Sequence, residues 1–180
     1  MKSALLILAT FALSTSAQQP DKTLPPEGFT ARYVTRGVGV QIYQCTASGT
    51  AYTWTLQGPE ADLLDSKTFA AVGKHGAGPS WAWIDGSSVT GKVLEQQPSG
   101  DATANIPWLL LQATSTGANG ALSTVNYVRR SDTDGGIPAA AGCSEATVNT
   151  VTRVPYKAVY TFYAPAAKPT KKKHWYSRSR

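Results

Sequence analysis

VPYKAVYTFY, residues 154–163, alternates along its whole length: Val154, Tyr156, Ala158, Tyr160 and Phe162 fall on one side of an extended chain, and Lys157, Val159, Thr161 and Tyr163 on the other. The first side is large and apolar, so it is expected to face a core. Upstream, short segments rich in Val, Thr, Tyr and Trp recur between Gly, Pro, Asp and Ser at intervals of roughly ten residues, the spacing of an all-β chain. The expected strands are 31–36, 38–45, 52–57, 80–84, 88–94, 108–113, 122–129 and 154–163. Leu109, Leu110 and Leu111 do not alternate, which predicts a strand covered on both faces. Pro107 and Pro155 should mark strand starts or edges, where a missing N–H is tolerated. Pro59–Leu64, with its proline and crowded acids, reads as the one helical turn. The fold expected from these signals is a single-domain antiparallel β-sandwich or barrel spanning 29–165.

The ends of the chain are different in kind. Lys2 is followed by an apolar run from Ala4 to Leu13 and by Thr15-Ser16-Ala17, the pattern of a cleaved signal peptide over 1–17. A membrane anchor would need about 20 apolar residues, and this run turns polar at Ser14. Residues 18–28, with Pro20, Pro25 and Pro26, form an extended lead-in outside the core. The expected location is therefore the periplasm or the extracellular space. In an oxidising compartment the two cysteines, Cys45 and Cys143, are expected to form one intradomain disulfide. They have no CxxC spacing for redox work, and no metal or cofactor is expected.

The formal charge of +6 is concentrated in one place. Between Gln18 and Pro165 ten basic residues face eleven acidic ones, whereas six of the seventeen basic residues follow Pro165. The segment 166–180 cannot bury enough apolar area to offset its ordering entropy and is expected to be disordered. Lys171, Lys172, Lys173, Trp175, Arg178 and Arg180 combine basic and aromatic groups suited to an anionic surface, with a merely solubilising tail as the alternative. Export removes the chain from genomic DNA, so nucleic acid is not an expected partner. If the tail attaches, deleting 166–180 abolishes salt-sensitive retention on anionic vesicles; unchanged retention in a flotation assay refutes it.

Most of the chemistry lies in GKHGAGPSWAWIDGSSVTG, residues 73–91. Asp85-Gly86 between two β-rich runs predicts a two-residue hairpin, pairing Trp83 with Ser88 and Trp81 with Thr90. Trp81, Trp83, Ser88 and Thr90 would then share a face able to stack on a glycan or other small ligand; the competing reading packs both indoles inside. His75, in a glycine-rich loop, is open to three roles: an acid or base with Asp85 or Asp65, a single metal ligand, or a hydrogen-bonded structural residue. Glu60, Asp62 and Asp65 offer carboxylates of undetermined separation. There is no GxSxG elbow and no HExxH pair, and the glycine spacings do not follow GxGxxG. Binding is thus expected over catalysis, with a hydrolase using His75 and a structural surface protein as the alternatives.

These stretches carry a resemblance. GVQIYQC at 39–45, PEADLLD at 59–65, VGKHGAGPSW at 72–81, DGSSVTGK at 85–92, IPWLLL at 106–111, VNYVRRSDTDGG at 125–136 and VPYKAVYTFY at 154–163 make the chain similar to a family of secreted bacterial and fungal proteins, domain of unknown function family 3455. The resemblance implies a secreted domain and no particular reaction. Some fungal members carry a malate dehydrogenase label, for which these residues provide no dinucleotide-binding pattern.

Overall fold

The computed structural model describes residues 20–167. Among them, eight antiparallel strands close into a barrel in simple chain order: β1 Phe29–Ser48, β2 Ala51–Asp65, β3 Ala71–Gly76, β4 Ser80–Trp83, β5 Ser88–Gln97, β6 Trp108–Ser115, β7 Tyr127–Gly135 and β8 Val151–Pro165. Closure is made by β1, which pairs with β2 along one side and with β8 along the other. A closed sheet has no free edges, which is the main hazard of an all-β chain of this kind.

The barrel interior is written in the period-two pattern. Tyr156, Ala158, Tyr160 and Phe162 of β8 are all buried, as their alternation predicts. Val154 is not, because it lies near the start of β8, where that strand is paired with β1 alone. Pro155 falls in the same one-sided stretch, which leaves its missing N–H harmless. Leu109 and Leu111 face inward, while Leu110 is buried on the outer side. There it lies opposite Arg129, whose guanidinium sits over the Trp108 ring and binds Asp21 and Thr23. The lead-in is therefore more than a loose tether: Thr23 is fully buried and seals the outer face of β6 and β7.

The expected strand 122–129 is displaced to Tyr127–Gly135, its first residues belonging to the β6–β7 connection, and three further expectations need correction. Residues 31–36 and 38–45 are one continuous strand, because Gly37 does not break it. Gly37 faces inward, and a Cβ there would lie 2.5 Å from the Tyr160 ring, so the glycine makes room for the tyrosine. Pro59–Leu64 is not helical but the second half of β2. Ala61 and Leu63 point inward; Glu60 and Asp62 point outward, Asp62 forming an ion pair with Lys74 on the neighbouring β3 and Glu60 one with Arg153 on β8, across β1. Alternation across two pairing partners outweighs a first-turn signal. The third correction is β3 itself, Ala71–Gly76, which replaces the expected glycine-rich loop.

One end of the barrel is closed and the other open. The β6–β7 connection folds over the closed end, where Leu122 and Val125 plug the core. At the other end the long β7–β8 connection carries two short 3-10 turns, Ala140–Gly142 and Glu145–Thr147. The disulfide Cys45–Cys143 ties it to β1 across 98 residues. Backbone hydrogen bonds from Asn149 to Cys45 and from Cys45 to Thr150, and one from the Trp54 indole to Ala139, lay this connection beside the open mouth.

Candidate functional site

The loop between β4 and β5 opens one residue earlier than expected. Trp83 N–H donates to Ser87 and Gly86 N–H to Trp83, so the loop holds three residues, with Gly86 in the left-handed region at φ 84°. Trp81 consequently pairs with Val89, Ala82 with Ser88 and Ser80 with Thr90. A slip of one residue exchanges the faces of a strand. Trp81 and Val89 become core, with exposures of 1% and 0%, while Thr90 is exposed on the outside and Ser88 is half-buried. Trp83 packs against the Tyr33 and Phe162 rings. The expected platform of two indoles beside two hydroxyls is thus not formed: the indoles line the interior and Thr90 points away from it.

The acid/base candidates are also separated. His75 pairs with Trp81 near the open end, whereas Asp85 lies in the β4–β5 loop and Asp65 at the far end of β2, each about four residues beyond along its strand. At the rise of an extended chain that is on the order of 13 Å. Both aspartates are occupied by local work. Asp85 accepts hydrogen bonds from Ser87 and from the Ala121 N–H, and Ser87 in turn accepts the Leu122 N–H, which fixes the plug at the closed end. Asp65 accepts from Lys67, Thr68 and the Thr68 hydroxyl to form the β2–β3 turn. These bonds favour the ionised form and hold both carboxyls below their ordinary range. Among the described residues no three His, Cys, Asp or Glu side chains are grouped to hold a metal ion. Lys171, Lys172, Lys173, Trp175, Arg178 and Arg180 lie outside the described residues, as does the segment 1–17.

What the fold does assemble is a polar layer inside the barrel. His75 stacks on the Trp81 ring at 4.7 Å and meets the Tyr160 ring edge-on at 4.8 Å. Its Nδ1 lies 2.8 Å from the Ser80 carbonyl, which can only accept, so Nδ1 carries the proton and Nε2 the lone pair. Burial, reinforced by the positive charge of Arg130, lowers its pKa to about 4, and the ring is neutral at physiological pH. A histidine that weakly basic, with no carboxylate to orient it, is poorly matched to proton transfer near pH 7. Tyr156 and Tyr160 join hydroxyls at 3.1 Å, and burial raises the pKa of both. Tyr43 donates to the Gly136 carbonyl at the start of the β7–β8 connection.

Above this layer a cavity of about 390 Å³ opens at the end of the barrel. Its polar lining includes Gln41, Tyr43, His75 and Arg130; its apolar wall includes Leu56, Val93, Ile106 and Leu109. Leu56 and Val93 are 53% and 47% exposed and form an apolar rim. Neither Arg130 nor Gln41 belongs to a sequence motif of known chemistry. The signal was available for Arg130: Arg129-Arg130 in a strand must send one guanidinium inward.

Residues 25–164 match the model of the family described as "Protein of unknown function (DUF3455)". The chain belongs to this family. The matched span runs from the lead-in to the end of β8, so the DUF3455 domain and the barrel are the same unit. No match was found among curated proteins or among solved structures. The part of the DUF3455 chain after Ala164 lies beyond the matched span.

Proposed function

We propose that this DUF3455 barrel is a non-catalytic binding protein that takes a small, largely apolar ligand into the open end of the barrel. The carrying observation is the cavity of about 390 Å³, with an apolar rim and a small number of convergent polar groups at its base. Both its size and its lining are those of small-molecule sites, which run from about 300 to 1,000 Å³. A broader groove on the outer face, of about 450 Å³, is lined by the exposed side chains of Glu60, Asp62, Lys74 and Arg153. Those charges are paired with one another, which favours the barrel mouth as the ligand site. A disulfide spanning 98 residues is in keeping with work in an oxidising compartment. The basic segment after Pro165 would add attachment to anionic surfaces.

A neutral apolar dye tests the site. N-phenyl-1-naphthylamine should gain fluorescence on mixing with the protein. Val93→Trp, which fills the mouth from a half-exposed position, should weaken binding about tenfold or more without lowering the melting temperature. Dye that binds the variant as well as the parent, or that does not bind the parent, contradicts the reading.

A further inference from the structure

We infer that the ligand carries a single carboxylate, seated on Arg130 and Gln41 at the base of the barrel cavity. This rests on the reading of the cavity as a ligand site and adds the class of molecule it selects. The two neighbouring arginines of β7 show the difference that matters. Arg129, on the outer face, has its countercharge at 2.6 Å in Asp21. Arg130, on the inner face, spends its Nε–H on the Pro107 carbonyl at 3.0 Å, and among the described residues no carboxylate lies within ion-pair distance of it.

Among the described residues no Asp or Glu lines the cavity. The Arg130 charge acts on Tyr43, His75, Tyr156 and Tyr160, so the whole base of the barrel sits in a positive field. A partly enclosed cation that has hydrogen-bond partners but no countercharge is costly, and an entering anion reduces that cost. Gln41 makes the same demand independently. It lines the cavity at 1% exposure, and its Nε2, a donor, has no acceptor among the described residues. A buried amide donor left unpaired costs free energy that an acceptor-bearing ligand recovers.

A planar group with two acceptor oxygens matches the paired N–H donors that a guanidinium presents. One arginine supplies one charge, which suits a monoanion better than a phosphate dianion. Ile106 and Leu109 continue the wall toward the exposed Leu56 and Val93, leaving room for an apolar body behind the carboxylate. An amphipathic monocarboxylic acid is the ligand class this lining selects.

Displacement of N-phenyl-1-naphthylamine from the purified protein at neutral pH by decanoate, decyl phosphate, decanol and decylammonium, each below its micellar concentration, separates the possibilities. Decanoate should bind about tenfold or more tighter than decanol, with decylammonium weakest, as expected for hydrogen bonds to a charged group. Arg130→Gln should abolish the preference and leave decanol unchanged. If Arg130→Gln does not fold, Gln41→Leu serves as the second variant, and it should weaken decanoate several-fold with decanol unaffected. Equal binding of decanoate and decanol overturns the carboxylate while the cavity reading stands. Preference for decyl phosphate overturns the choice of head group. Failure of all four, together with failure of the dye, removes the site itself.

Discussion

Breaking the Cys45–Cys143 bond, by reduction or by the double substitution Cys45→Ala and Cys143→Ala, lowers the unfolding free energy by up to about 4 to 5 kcal/mol. The bond closes a loop of 98 residues, and a cross-link of that span removes about this much entropy from the unfolded chain. For a domain whose total stability is of order 5 to 15 kcal/mol, the loss is a large share. The effect should also be local. Cys143 holds the β7–β8 connection to β1, and that connection reaches the open mouth through the Tyr43 bond to Gly136. The reduced protein should therefore bind the naphthylamine dye more weakly even under conditions where it remains folded. Urea unfolding with and without reductant measures the first effect, and dye titration the second. An unchanged urea midpoint contradicts the bond's role in stability.

The second large effect is a dependence on pH. Burial lowers the pKa of His75 from an ordinary 6.5 to about 4 in the folded protein. Above pH 6.5 the ring is neutral in both states and adds no slope. Between 6.5 and about 4 only the unfolded chain takes up the proton, so stability falls as the pH falls, by about 1.4 kcal/mol per unit. The accumulated loss is about 3 kcal/mol at pH 4, below which both states are protonated and the loss levels off. Asp65, Asp85 and Asp101 are held below their ordinary value of 3.8, so their hydrogen bonds are lost only at lower pH. The window from pH 6.5 to 4.5 thus belongs to His75. His75→Asn should start from a lower stability but show a flat profile across that window. A slope that survives the substitution assigns the acid sensitivity elsewhere.

The all-β class, the inward face of 154–163 and the double coverage of Leu109–Leu111 were legible because each depends only on the period-two alternation of an extended chain. The barrel's closure was not, since nothing in a single strand states that β1 pairs on both sides. Gly37 and Pro59 misled for the same reason. Each is a break signal taken alone, and each is explained by a partner distant in sequence, the Tyr160 ring for Gly37 and the flanking strands of β2 for Pro59. The position of the Trp81/Trp83 hairpin is legible in the chain, but its three-residue loop is not, and that one-residue difference in register exchanges the inner and outer faces. Among the site residues, His75 stood out as the lone histidine before the tail, while Gln41 carried no sequence signal at all. Its significance lies in an amide donor buried without an acceptor, a property of packing and not of residue type.

The central claim is that a ligand enters the barrel through its open end. Intermolecular nuclear Overhauser effects between bound N-phenyl-1-naphthylamine and methyl-labelled protein test it most directly. The account predicts contacts to the methyls of Leu56, Val93, Ile106 and Leu109, with none to Leu122 at the closed end. Contacts confined to outward-facing methyls such as Val34 and Val38, both exposed on β1, would contradict it.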